Sequence, residues 1–366
     1  MSGAADHRPV DVLVVGGGQS ALAVGWYLRR AGLEPRTDFV LLDDAAEPGG
    51  AWPRMWPTLR TFSPTAYSSL PGWPMPPWRE DDGNPSAAHV AAYLAAYEDR
   101  YDLPVERPTR VVAVRRPAPE TGEDPERLVV TSTGDTWAAR HVVSATGTWG
   151  RPFWPSVPGM REFRGRQLHA ADYRRAEDLA DGHVVVVGGG NSAAQILAEV
   201  SEVTSTTWVT LRPPQFLPDD VDGRVLFEAA NARVRGVGGG VASLGDIVMV
   251  PSVKAARDRG ALKARPMVDR LVPEGVAWGE EVQPARTVVW CTGFRPALHH
   301  LHPLGVRDHG RVATVPAGPD GPPTTAADEP RLHLVGYGDW TGPGSATLIG
   351  VGHTARDTVA ALLPAR

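Results

Sequence analysis

The sequence predicts an α/β chain built on parallel β-sheet, and three observations predict it. Two short β-branched runs, residues 11–15 and 184–187, are each followed by a Gly-x-Gly-x-x-Ala string and then by a helical pattern. An uninterrupted apolar run of that length reads as a strand buried on both faces. A third run, residues 38–42, follows the first helix and ends on an acid, Asp43. Strand, glycine turn, helix and strand in that order make a βαβ unit of the dinucleotide-binding kind. Two such units, too far apart to be halves of one fold, imply two Rossmann-like domains.

In the first unit Gly16 permits the tight turn and Gly18 lets backbone approach a pyrophosphate. Gln19 and Ser20 open the helix at its positive end, and the small Ala21 lets helix and strand pack closely. Asp43, with Asp44 beside it, ends the second strand with carboxylates that accept hydrogen bonds from ribose hydroxyls and exclude a 2′-phosphate. The second unit repeats the pattern with Gly188, Gly190, Asn191, Ser192 and Ala193. Its following strand, residues 207–211, ends on Arg212 instead of an acid, and an arginine there pairs with a 2′-phosphate. The first site therefore suits FAD and the second NADPH. Two nucleotides in one chain imply electron transfer between them.

Composition narrows the class. The chain has 366 residues, 42% of them hydrophobic, and a formal net charge of −5. That is a globular chain of one large or two medium domains, and the charge argues against nucleic-acid binding. Cys291 is the single cysteine. It excludes an internal disulfide or redox dithiol and fits a reducing compartment. With no long uncharged apolar stretch and no leader-like N-terminus, the expected location is cytoplasmic, with no membrane association.

The remaining elements follow in order. Residues 56–78 are rich in Pro, Ser and Trp without periodicity and read as a functional loop. Residues 86–100 read as an amphipathic helix capped by Ser86, with Val90, Tyr93, Leu94 and Tyr97 on one face. Residues 110–115 and 127–132 read as strands, and 141–147 as a strand running into a small-residue turn. The acidic turn at residues 216–224 reads as solvated, so no metal site is expected. Residues 236–240 form a glycine run, and 247–250 an apolar strand or hinge. Residues 288–293 repeat the strand–x-Thr-Gly pattern of 143–147 and read as the return of the first domain. A last strand ends near Asp339, and a small-residue loop, residues 341–347, precedes a final helix over 348–363. The expected division is 1–155 and 285–366 for the FAD domain, with an NADPH domain, 156–284, inserted.

The chain resembles the class B flavoprotein monooxygenases of the flavin-containing type. The residues that carry this are both glycine loops, Gly49-Gly50-Ala51-Trp52, Ala145-Thr146-Gly147, and Phe163-x-Gly165-x-x-x-His169-x-x-x-Tyr173-Arg174. More narrowly it is similar to the bacterial subgroup associated with arsenic-resistance operons. The strings for this are residues 67–74, 216–220 and 336–342. The resemblance implies that FAD meets Gly16, Gly18, Gln19, Ser20, Ala21, Asp43 and Asp44. Trp52, Arg60 and Asp339 would lie along the FAD, and Gly50, Ala51, Val112, Thr146, Gly147, Thr292, Gly293, Ala346 and Thr347 are further cofactor-binding residues. It places NADPH on Gly188, Gly190, Asn191, Ser192, Ala193 and Arg212. Phe163, Gly165 and His169 shape the domain joint. The implied reaction is reduction of FAD by NADPH, formation of a C4a-(hydro)peroxyflavin, and oxygen transfer to sulfur, nitrogen or trivalent arsenic. A small-molecule substrate and dioxygen are the implied partners, and a homodimer is compatible. One departure stands out. Relatives often carry Thr-Asn at the reactive face of the flavin, and this chain has Thr61-Phe62. Ser63, Tyr67 or Asn191 is left to supply the polar contact, and an NADPH oxidase or another FAD/NADPH reductase stays open as the alternative.

Overall fold

Two sheets carry the chain, the first mixed and the second parallel, each assembled around one of the glycine turns. The computed structural model describes residues 7–79, 83–219, 221, 247–318, 322–342 and 344–363. In the first sheet β1 (Arg8–Val15) pairs in parallel with β2 (Phe39–Leu42), which is followed outward by β3 (Val105–Glu106). β4 (Val111–Arg115) and β5 (Leu128–Ser132) form an antiparallel ladder that joins the sheet through β6 (Thr136–Ser144). β6 lies against the other side of β1. Both faces of the C-terminal half of β1 are covered, which is why residues 12–15 are apolar without alternation. Val12 and Val14 enter a core with Leu22, Leu28 and Tyr97, while Leu13 and Val15 enter another with Trp137 and Leu334.

The second sheet uses β7 (Arg166–His169), β8 (Val184–Val187), β9 (Thr206–Thr210) and β10 (Ala264–Pro266). A small antiparallel sheet follows, of β11 (Arg270–Val272), β12 (Gly275–Trp278) and β13 (Glu281–Pro284). Next comes β14 (Thr287–Trp290), and it corrects the expected boundary at 284/285. β14 does not return to the first sheet. It lies between β8 and β7, parallel to both. The physical reason is an internal repeat: β14 stands to β8 as β6 stands to β1, and both end in a Thr-Gly turn. The second domain therefore runs past residue 290. Only afterwards do β15 (Arg307–Asp308), β16 (Arg311–Val312), β17 (Thr325–Ala326) and β18 (Glu329–Leu334) form, and β18 adds to β6.

The chain crosses between domains twice, and the crossings pair with each other. Phe153 N donates to Gly293 O at 2.9 Å, and Arg295 N to Arg151 O at 2.8 Å.

Five helices matter here: α1 (Gln19–Arg30), α2 (Ala87–Arg100), α3 (Asn191–Val203), α4 (Pro251–Asp258) and α5 (Val351–Leu362). Ser86 caps α2 as its sequence implies, its hydroxyl accepting from His89 N at 3.2 Å. The last helix starts at Val351, later than expected, because 348–350 form turns. Ile247 is buried and bridges to Phe216. The glycine run at 236–240, together with Asp220 and Asp222, lies outside the described residues.

Candidate active site

Both glycine turns are built alike. Gly16 has φ +118°, and a Cβ there would lie 2.6 Å from Ala145 O; Gly188 has φ +144°, and a Cβ would lie 2.3 Å from Cys291 O. Each turn is thus pressed against the carbonyl that precedes a Thr-Gly pair, a conformation and a clearance open only to glycine. Gly18 and Gly190 are the N-cap residues of α1 and α3, and neither helix has a side-chain cap. Both helix starts therefore present uncapped N–H groups and a positive dipole end, which suits a pyrophosphate.

A cavity of about 1800 Å³ runs between the domains and reaches both helix starts. Pockets for one small ligand run about 300–1,000 Å³, so the space suits two extended ligands. Gly16, Gly18, Gln19 and Ser20 form one end, with Asp43 and Asp44 beside them. Gly50, Ala51, Trp52, Arg60, Ser63 and Tyr67 line the long loop's side. Thr146, Gly147, Asp339, Ala346 and Thr347 close the first-domain wall, and Asn191 and Ser192 represent the second unit.

Other expected residues lie elsewhere. Ala21 and Ala193 are buried beneath their helices, where their small size serves packing. The strand offers Arg110 and Val111 to the cavity, while the side chain of Val112 is 49% exposed. Gly188 and Gly190 shape the turn without lining the cavity. Arg212 is exposed just beyond β9, outside the lining. Thr292 and Gly293 serve the crossing: Thr292 Oγ1 donates to Phe153 O, and Gly293 O accepts from Phe153 N.

Contacts among these residues fix the site's shape. Gln19 spans it, donating from Nε2 to Ala346 O at 2.9 Å and accepting from Trp52 Nε1 at 3.2 Å. Asn191 Oδ1 accepts from Val248 N at 2.8 Å, which orients its amide. Asp43 is nearly buried and receives Arg107 Nε at 2.9 Å. Arg107 in turn forks onto both oxygens of Glu98. Sequence reasoning missed Arg107 and Glu98, because neither lies in a glycine-loop motif and only the fold brings them to Asp43.

A proton-ordered chain, also unforeseen, backs the Thr146 turn. Thr146 Oγ1 donates to Ala297 O at 2.8 Å, so the 2.7 Å contact with Tyr337 has the phenol as donor. Ser144 Oγ then donates to Tyr337, also at 2.7 Å, and His300 Nε2–H donates to Ser144 at 3.0 Å. Burial, with the neighbouring His299 ring and the Arg307 cation adding to it, pushes the His300 pKa down to about 4, so the ring is neutral at pH 7.

The Phe-x-Gly-x-x-x-His string occupies the joint. Gly165 is pressed against the Phe163 ring and Arg286 O. His169, fully buried, accepts at Nδ1 from Ala171 N and donates from Nε2 to Gly293 O, each at 3.1 Å. Both ring nitrogens are engaged, Nε2 with the crossing and Nδ1 with the turn that follows the histidine, and burial lowers the pKa of the ring.

Residues 13–225 match the pyridine nucleotide-disulphide oxidoreductase family. A flavin-containing monooxygenase from Stenotrophomonas maltophilia is 46% identical, with a TM-score of 0.85, over 97% of this chain and 98% of that one. The chain belongs to this family, as a flavin-containing monooxygenase. An uncharacterized oxidoreductase, CzcO, of Bacillus velezensis is 27% identical over 82% of this chain and 86% of its own length. A Baeyer-Villiger monooxygenase of Streptomyces coelicolor is 32% identical over 59% of this chain and 40% of its own. The monooxygenase is an oxidoreductase that uses FAD and NADPH. Among its described residues no group of His, Cys, Asp and Glu could hold a metal ion. No described helix is long and apolar enough to cross a membrane.

Proposed function

We propose that this monooxygenase transfers one oxygen atom of dioxygen to a soft heteroatom nucleophile: sulfur, nitrogen or trivalent arsenic. One oxygen enters the substrate and the other leaves as water, with NADPH and a proton consumed. The observation that carries the reading is the single cavity that reaches both helix starts. FAD belongs on the Gly16 loop with its ribose on Asp43, and NADPH on the Gly188 loop with its 2′-phosphate on Arg212. Bound flavin supplies the oxygen-activating chemistry.

The chain's own residues bind, orient and exclude water. Arg107 holds Asp43 in place, and the Gln19 bridge fixes Trp52 against the first loop. Ser63, Tyr67 and Asn191 are the polar groups offered at the reactive end, and Asn191 is already aligned by Val248. Cys291 does not line the cavity, and burial pushes its thiol pKa well above the ordinary thiol range. With this single free cysteine the chain has no disulfide of its own to relay electrons from the flavin to a disulfide substrate, which favours oxygen as the acceptor. The trivalent-arsenic arm rests on the resemblance of residues 67–74, 216–220 and 336–342 to the arsenic-operon subgroup.

Phe62, where relatives often carry an amide, supports a second reading, an NADPH oxidase. One experiment separates the two. The yellow enzyme is given NADPH with a thioether, an amine, arsenite or a methylated arsenical, and hydrogen peroxide is counted alongside product. Oxygenated product matching NADPH consumed, with any of these, supports the monooxygenase. Stoichiometric peroxide with every one supports the oxidase.

A further inference from the structure

Glu199 lies on α3, about two turns beyond Asn191. Its carboxylate gathers donors from both domains. Oε1 accepts from Thr58 Oγ1 at 2.6 Å and from Trp56 Nε1 at 3.2 Å, and Oε2 accepts from Tyr173 Oη at 2.7 Å. No cation pairs with it among the described residues, and these neutral donors anchor it. Trp56 belongs by sequence to the first domain's long loop. It is nonetheless buried in the second domain's core, edge-on to Tyr173 with ring centroids 5.9 Å apart. The next residues of that loop, Leu59, Arg60 and Ser63, line the cavity, as does Gln195 one turn above Glu199. Tyr173 closes the Phe-x-Gly-x-x-x-His-x-x-x-Tyr string, so this bond gives the tyrosine a partner the string alone does not reveal.

A carboxylate suits the position. Both of its oxygens accept, whereas an amide offers one acceptor and a nitrogen that would face a donor. We propose that Glu199 is a positioning residue: it clamps the 56–63 loop to the nucleotide helix α3 and so sets the spacing between the two bound nucleotides. The inference rests on FAD and NADPH lying on the two loops as read above. Hydride transfer needs reacting atoms about 3–3.5 Å apart, so a clamp that slackens by a fraction of an ångström slows turnover without abolishing binding.

The test compares Glu199→Gln, Thr58→Val, the double variant and a control, Glu202→Gln, on the same helix. Amide hydrogen exchange of the FAD-loaded full chain is measured without NADPH, then steady-state NADPH consumption. For Glu199→Gln the expected result is faster exchange in 56–63 and in α3, FAD retained, and kcat lowered about tenfold with KM for NADPH within about threefold. Thr58→Val moves the same way by less, and the double variant is no worse than Glu199→Gln, because both break one clamp. Glu202→Gln matches wild type. If Glu199→Gln does not fold, Thr58→Val carries the test. Unchanged exchange in 56–63, or a loss confined to KM or to FAD retention, overturns the clamp. Should wild type itself hold no FAD or consume no NADPH, the functional reading falls, while the same exchange comparison on the full chains as purified still decides whether the clamp exists.

Discussion

Gly16 and Gly188 show how much one residue type settles at each site. A valine at 16 would place Cβ 2.6 Å from a backbone carbonyl and hold a β-branched residue at positive φ. Gly16→Val is expected to purify colourless, and a normal flavin spectrum would remove FAD from that loop. Arg212 makes no hydrogen bond or ion pair among the described residues, so its charge is available to a phosphate. Arg212→Ala is expected to raise KM for NADPH at least about tenfold and leave that for NADH within twofold. An equal rise for both would remove the 2′-phosphate role. The two glycine turns were legible because a glycine string after a strand is a local signal, whereas the role of Arg212 is what this substitution tests. Arg107 was not legible, since 64 residues separate it from Asp43 and only the pairing of β3 beside β2 brings them together.

At the scale of elements, caps and buried histidines carry separable costs. Ser86→Ala removes the bond to His89 N and is expected to lower stability by about 1 kcal/mol in urea unfolding, with FAD still bound. His300 gives the pH dependence a sign. Its folded pKa of about 4 lies below the ordinary 6.5, so the unfolded chain binds the extra proton between those values. Its contribution is therefore full above pH 6.5 and lost as pH falls towards 4. From pH 7 to pH 5 the loss is about 2 kcal/mol. His300→Gln keeps a donor for Ser144 but cannot titrate, so its stability should fall less over that interval by about that amount. The buried His333 titrates in both proteins and cancels in the difference. The long loop was legible as a loop from its prolines and missing periodicity. Which of its residues enter the second domain was not, because Trp56 is chosen by the shape of a pocket whose other wall, Tyr173 and α3, lies far away in sequence.

For the whole molecule, the two sheets were legible and their border was not. A strand followed by Thr-Gly occurs in each unit, and sequence alone does not say which sheet a copy joins. Residues 287–290 read naturally as the first domain resuming. Pairing decides otherwise: β14 sits between β8 and β7, and among the described residues β7 has no other partner in its sheet. The consequence can be tested by cutting the chain. A fragment of residues 156–284, the border the sequence suggested, lacks the strand that joins β7 to the rest and leaves Val186 and Leu197 without the packing of Val289. A fragment of residues 156–294 keeps all five strands. The longer piece should unfold cooperatively in urea with near-ultraviolet dichroism from the buried Trp208 and Trp290, and the shorter should show neither feature. Equal behaviour of the two would mean that β14 adds nothing to the inserted domain, and that the sheet is held by β8, β9 and β10 alone.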